Sequence, residues 1–269
     1  MIHWISADKT TSLDQDNTSS FCNYTELGWE VSVGRLKVIR MVNDGKITDD
    51  DTVVTLKDRI FFYSKFCKVI PYEKPIETNG LVPENHGEWL SEIHCENGKH
   101  IPWRWPQDIQ KILDFDYEPC SPPPCVMVTH RVRGWCKNRN CEASNTKSFI
   151  SMVMDMGYKP YIGGKYAEGV DDRAEYVPSL RSIASIVNHR NCVAIIASGG
   201  PSLLAQQCCR SKLLCLKTCG DSNPWGEHPL YISKFLNFSG CQQFLVSPND
   251  VNAARKIIMG ESHDTLAIR

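Results

Sequence analysis

What this sequence lacks narrows its function first. Among its 269 residues, 30 Lys plus Arg stand against 31 Asp plus Glu, a formal net charge of -1. Both signs are mixed along the chain, so no global field gathers phosphate polymers or anionic lipid, and nucleic acid is not the expected ligand. No apolar run, Val193 to Ala197 being typical of the longest, approaches the roughly 20 residues that span a bilayer. The opening M-I-H-W-I-S-A-D-K-T turns polar early and has no basic start followed by an apolar block. A cytoplasmic chain without a membrane span is therefore expected. The 13 cysteines are odd in number and contain no C-x-x-C. A chain of this length buries a core without disulfides, so they are read as reduced thiols. The sequons at Asn17, Asn23 and Asn237 are read as chance matches.

Several chemistries are missing as well. There is no G-x-x-x-x-G-K-[ST], because Gly157 lies too far from Lys165 and Tyr166 stands where a hydroxyl should meet magnesium. No G-x-S-x-G occurs either; Ser198 and Ser202 flank their glycines in the wrong order for an α/β-hydrolase. His86, His94, Cys95 and His100 match no common zinc spacing and read as a polar insertion, so no metal site is expected.

What is present is an alternation of short apolar runs with helical stretches. Ile2 to Ser6 reads as a strand, Val31 to Val42 as a helix, T-V-V-T-L at Thr52 to Leu56 as a buried strand, I-F-F-Y-S-K-F as an aromatic helical stretch, and Lys68 to Tyr72 as a strand. Glu73 to Gly98 has no period and reads as a long loop, and Asp108 to Asp114 as a helix. P-C-S-P-P-P-C at Pro119 to Cys125 stops regular structure and is the linker candidate.

The second half alternates more cleanly. Strands are expected at Val126 to His130, Tyr158 to Ile162, Val193 to Ala197, Leu213 to Leu216 and Gln243 to Val246. Helices are expected at Thr146 to Met156, Pro178 to Asn188, Pro201 to Cys208, Ile232 to Phe238 and Asn249 to Met259. The fold class is α/β: two Rossmann-like α/β/α domains, 1–120 and 125–269, facing across a cleft.

Two segments carry the chemistry. In V-A-I-I-A-S-G-G-P-S-L-L-A-Q-Q-C a strand runs into Ser198-Gly199-Gly200, with Pro201 at the helix start. Glycines admit a ligand to the backbone, and the helix start offers free amides and a partial positive charge, an arrangement suited to phosphate or diphosphate. T-H-R-V-R-G-W-C-K-N-R-N follows another strand end and concentrates Arg131, Arg133, Lys137 and Arg139 in an otherwise neutral chain. Open parallel sheets bind ligands at such ends, and arginine clamps phosphate with two donors. Substrate-binding residues are therefore expected at Arg131, Arg133, Lys137, Ser198, Gly199, Gly200 and Ser202.

From Cys125 to Ser247 the order of parts resembles the nucleotide-sugar-binding half of GT-B glycosyltransferases, most nearly the heptosyltransferase-like group. The shared features are an Arg- or Lys-bearing loop after a strand, G-Y-K-P-Y-I-G-G at Gly157 to Gly164, the helix L-R-S-I-A-S-I-V-N-H, and a strand ending in a glycine turn before an L-A pair. The acidic residue that opens this turn in the group is replaced here by Ala197 or Ser198, and the chain is short for the group. No E-x-x-x-x-x-x-E of the retaining enzymes is present near the end of the donor half. The resemblance implies transfer of a sugar from a nucleotide-diphosphate donor to a hydroxyl of a glycan or related acceptor. It also implies inversion, independence of metal and of any cofactor beyond the donor, and a place for Gly163 in the donor site. The general base is sought in the first half, at Asp8, Asp58 or Glu73, with Trp89, Trp103 and Trp105 as candidate acceptor contacts. The alternatives are a non-catalytic nucleotide- or sugar-phosphate-binding protein and a DNA-modifying glycosyltransferase. W-R-W at Trp103 to Trp105 is too little basic surface for the latter.

Overall fold

A computed structural model describes residues 2–4, 18–20, 27, 30–72, 109–132, 140–164, 166–217 and 237–261. The chain divides into two compact units, Met1–Asp116 and Tyr117–Arg269.

The first unit is built on a four-stranded sheet of β1 (Ile2–Trp4), β2 (Thr18–Ser20), β3 (Thr52–Leu56) and β4 (Lys68–Tyr72), ordered β2-β1-β3-β4. Every pairing is parallel. The chain thus winds outward in opposite directions from β1 and β3. Val53, Val54 and Thr55 of β3 are buried, as its β-branched sequence foretells.

The expected helix at Val31 to Val42 is instead a π-helical turn, Glu30–Gly34, leading into α1 (Arg35–Asn43). The wide turn serves two buried charges. Glu30 accepts hydrogen bonds from Thr55 Oγ1 at 2.5 Å, from Tyr63 Oη at 3.1 Å and from Arg59 Nη1. Arg35, fully buried, donates to the carbonyls of Phe62, Ile112 and Lys111 at 2.6–3.1 Å and lies 3.8 Å over the Phe115 ring. It thereby meets the carbonyls that end α2 (Ile109–Leu113). The aromatic stretch enters on a 3-10 helix, Lys57–Phe62. Phe61, Phe62 and Tyr63 are consecutive and all buried, which a single helical stripe does not allow.

The second unit carries six parallel strands: β5 (Cys125–Thr129), β6 (Lys159–Gly163), β7 (Glu175–Val177), β8 (Cys192–Ala197), β9 (Lys212–Leu216) and β10 (Gln242–Val246). Their order is β10-β9-β8-β5-β6-β7. It is the doubly wound order, whose direction reverses between β5 and β8. One face, through Val126, Val128, Ala194, Ile196 and Leu214, packs on α3 (Ala143–Asp155) and α6 (Val251–Met259). The other, with Met127, Ile195 and Leu213 buried, is covered by α4 (Leu180–Asn188) and α5 (Gly200–Cys208). Burial on both faces explains why these strands read as unbroken apolar runs.

Local signals fix the helix ends. Ser179 Oγ accepts from Ser182 N at 2.9 Å, and Asp250 Oδ1 from Ala253 N at 2.9 Å. Lys212 Nζ donates to the carbonyls of Ile257 and Ile258 at 2.8 Å, closing α6 from a neighbouring strand.

The proline-rich run is tied to the second unit. Glu118 N donates to Ser185 Oγ and Ser182 Oγ to Glu118 Oε2, each at 2.7 Å, and Asn191 Nδ2 donates to the Pro122 carbonyl at 2.7 Å. The unit boundary accordingly falls before it, between Asp116 and Tyr117. The expected loop at Glu73 to Gly98 and nearly all of the expected helix at Ile232 to Phe238 lie outside the described residues. Among the described residues no helix is long and apolar enough to cross a membrane.

Candidate functional site

The switch between β5 and β8 is where a doubly wound sheet opens a crevice, because the chains leaving the two strand ends turn to opposite sides. Both segments singled out by the sequence leave these two ends, Thr129-His130-Arg131 from β5 and Ser198-Gly199-Gly200 from β8. They touch. A Cβ built on Gly199 would lie 3.3 Å from Arg131 Nε and 3.6 Å from its Cδ. Gly199 also has φ 64° and ψ -134°, a conformation left to glycine. The conformational demand thus falls on Gly199. Gly200 is the first residue of α5, is buried and does not have a positive φ.

The start of α5 is the positive end of the helix. Pro201 has no amide hydrogen, and Ser202 N and Leu203 N donate to the Gly199 carbonyl at 3.0 and 3.3 Å. The Ser202 amide, expected to hold a diphosphate, is therefore already engaged. An anion here would draw on the amides of Gly199 and Gly200 and on side chains. Among the described residues Ser198 Oγ is buried without a hydrogen-bond partner. Ser202 Oγ likewise makes no hydrogen bond of good geometry. It lies beside the Cys215 thiol and draws its pKa down, but burial outweighs this and pushes the thiol up to about 12. Arg131 is 8 % exposed, and its carbonyl accepts from Cys141 N at 3.1 Å. A guanidinium and a helix's positive end, packed together with a buried hydroxyl, make a place that an anion would stabilise.

His130, which the sequence reading passed over, secures this corner. Its ring Nδ1 is 2.8 Å from Thr146 Oγ1 on α3, its amide donates to the Gly163 carbonyl at 2.9 Å, and burial pushes its imidazole below the ordinary range. A Cβ on Gly164 would come within 2.3 Å of the His130 carbonyl oxygen. The available signal was a histidine directly between a buried strand and an arginine. Gly163 itself sits under α4, where a Cβ would meet Ile183 Cδ1 at 2.5 Å, so a larger residue there requires the Ile183 side chain to shift.

Arg131, Ser198, Gly199, Gly200 and Ser202 thus come together, with Gly163 adjoining through His130. Arg133 and Lys137 lie outside the described residues, as do Asp8 and Glu73. Asp58 follows β3 at the corresponding switch of the first unit's sheet. Partial burial raises its carboxyl, Arg59 opposes this with Nε 3.8 Å from Asp58 Oδ1, and Glu30 adds to it. With 53 % of the side chain exposed, solvent screens these effects. Among the described residues no group of three or more His, Cys, Asp or Glu side chains could hold a metal ion.

No family model and no curated protein matches the chain. Several solved structures are similar at a low level. The heptosyltransferase WaaC of E. coli with ADP is 14% identical, with a TM-score of 0.39 over 85% of this chain and 78% of that one. TibC, a bacterial iron-containing dodecameric glycosyltransferase from enterotoxigenic E. coli, is 12% identical with a TM-score of 0.45, covering 83% of this chain and 60% of its own. A glycosyl transferase family 9 protein from Veillonella parvula is 12% identical with a TM-score of 0.40, covering 91% and 83%. At TM-scores below 0.5 these likenesses carry no functional weight.

Proposed function

We propose that the chain is a glycosyltransferase that receives a nucleotide-diphosphate sugar at the β5/β8 switch of its second unit. It would pass the sugar to a hydroxyl of a glycan or related acceptor in the cytoplasm. The observation that carries this reading is the packing of the Arg131 guanidinium against Gly199, at the start of α5, beside the buried Ser198 hydroxyl. In such a transfer the charge that develops belongs to the departing diphosphate, and donors fixed in advance lower the barrier most. Arg131 would supply two charge-assisted bonds, with Ser198, Ser202 and the amides of Gly199 and Gly200 completing the cradle. With the Ser202 amide engaged, this turn would take one phosphate, and the second would fall to the loop that bears Arg133 and Lys137. Cationic side chains would then do what a metal does in other transferases, and inversion at the sugar would need a single general base. Asp58, with Asp8 and Glu73, remains a candidate for that base.

A panel of nucleoside diphosphates and nucleotide sugars followed by thermal shift tests this reading, since a ligand of the native state raises apparent stability. A rise with at least one diphosphate and none with the matching nucleoside is expected. No shift across the panel would remove the donor site. A shift without sugar transfer to any hydroxyl acceptor would favour a binding protein.

A further inference from the structure

Among the described residues the exposed large apolar side chains are Ile70, Val132, Met154, Tyr166 and Met259. Ile70 belongs to β4 of the first unit. Met154 and Met259 lie in the last turns of α3 and α6, at the N-terminal edge of the second sheet. Val132 and Tyr166 fall instead at the C-terminal edge, where Arg131 and Gly199 meet. Val132, 41 % exposed, directly follows Arg131, and Tyr166, 53 % exposed, follows the end of β6, the strand beside β5. The two segments are held against each other. His130 N donates to the Gly163 carbonyl at 2.9 Å, and a Cβ on Gly164 would come within 2.3 Å of the His130 carbonyl oxygen. The loop that bears Tyr166 therefore starts flush against the residue before Arg131. It is a built loop. Ala167 N donates to the Gly164 carbonyl at 3.2 Å, Val170 N to the Ala167 carbonyl at 3.2 Å and Ala174 N to the Asp171 carbonyl at 3.1 Å. Asp171 Oδ1 accepts from Arg173 N at 3.1 Å and from its Nε at 2.9 Å. Ala167, Val170 and Ala174 pack on the core of the second unit, so the loop is pinned from below while the Tyr166 side chain stands in solvent.

We propose that Tyr166 and Val132 receive the base of a nucleotide whose phosphate lies between Arg131 and the start of α5. This rests on the donor reading above and adds to it the class of ligand, a phosphate carried by an aromatic base rather than a sugar phosphate or a bare anion. Scattered single apolar side chains on a surface are ordinary. Here two of them flank the residues that meet an anion, and neither contributes to holding one. They suit a flat group with apolar faces that arrives together with the phosphate. Neighbouring strands lie about 4.8 Å apart, so the Tyr166 turn is one strand away from Arg131, a step that a ribose spans. A tyrosine ring offers a large contact area with only two torsions to freeze, and the fixed turn beneath it has little order left to gain on binding. Stacking reads the face of a base and not its edge, so this contact tolerates more than one base.

The test titrates ADP, GDP, UDP and inorganic pyrophosphate calorimetrically into the full chain, into Tyr166→Ala and into Tyr166→Phe. The native chain is expected to bind at least one of the nucleoside diphosphates about tenfold or more tightly than pyrophosphate. Tyr166→Ala should weaken that nucleoside diphosphate about tenfold, the scale of a lost stacking contact, and leave pyrophosphate unchanged, which also shows that the variant is folded. Tyr166→Phe keeps the ring and should bind as the native chain does. Pyrophosphate bound as tightly as every nucleoside diphosphate would leave the anion site standing and overturn the base contact. A Tyr166→Ala chain with native affinity for all four probes, or one that loses pyrophosphate and nucleotide equally, would overturn it as well. Failure of all four to bind the native chain would overturn the donor reading and the base contact with it.

Discussion

In the first unit, β3 ends on Lys57-Asp58-Arg59, and the Arg59 guanidinium is met inside the protein by Glu30, itself bonded to Thr55 and Tyr63. In the second, β5 ends on His130-Arg131, and the guanidinium lies against Gly199 at the positive start of a helix, beside a hydroxyl without a partner. Both are buried arginines at the switch point of a parallel sheet. The difference is that one guanidinium is held by a carboxylate inside the protein, while the other lies against a glycine at the positive start of a helix. A balanced buried pair holds architecture, and removing one partner is costly. A guanidinium beside a helix's positive end gives an anion two sources of attraction at one place.

That contrast can be broken in several places. The largest effect is expected from Glu30→Ala, which strips Arg59 of its carboxylate and should cost about 3–5 kcal/mol. Urea unfolding should show the first unit melting earlier, while diphosphate affinity at the second stays as it was. Loss of affinity instead would mean that the two units are not independent in this respect. Gly199→Ala imposes a Cβ on a conformation reserved for glycine and should cost about 1–3 kcal/mol of the second unit's stability. The same urea experiment reads it, and an unchanged midpoint would contradict the turn geometry.

Ser198→Ala should do the opposite to the empty protein. Removing a hydroxyl that has no partner should leave the melting temperature level or slightly higher, yet weaken diphosphate binding by about 0.5–1.5 kcal/mol. A clear drop in melting without change in affinity would make that hydroxyl structural. The smallest effect concerns acid. Folded His130 holds a proton less readily than the unfolded chain, whose value is 6.5, so its contribution is intact above that pH and is lost as pH falls below it. Melting temperatures should decline from pH 6.5 downward, and His130→Gln should flatten part of that slope.

How much of this was legible beforehand depends on where the information sits. The strands of the second unit were readable because burial on both faces writes them as apolar runs, Cys125–Thr129 and Cys192–Ala197 above all. The turn at Ser198-Gly199-Gly200 was readable because glycine and proline act locally. Glu30 was not, since a buried carboxylate looks like any surface one until Thr55, Arg59 and Tyr63 are folded around it. The π-helical turn followed from that same burial and was equally hidden. The three-residue strand Glu175–Val177 is too short to carry a period. The contact of Arg131 with Gly199 spans 68 residues of sequence and exists only once β5 and β8 are neighbours. The engaged Ser202 amide and the His130–Thr146 bond belong to the same class of tertiary detail.

The central claim is that Arg131 and the start of α5 together hold a phosphate. Calorimetric titration of a nucleoside diphosphate into the native chain and into Arg131→Ala tests it most directly, with the empty proteins melted alongside. The account predicts a loss of about 1.5–3 kcal/mol in binding, the range for charge-assisted bonds, by a variant that still folds. Equal affinity for the two proteins, or a variant that binds weakly only because it no longer folds, would contradict it.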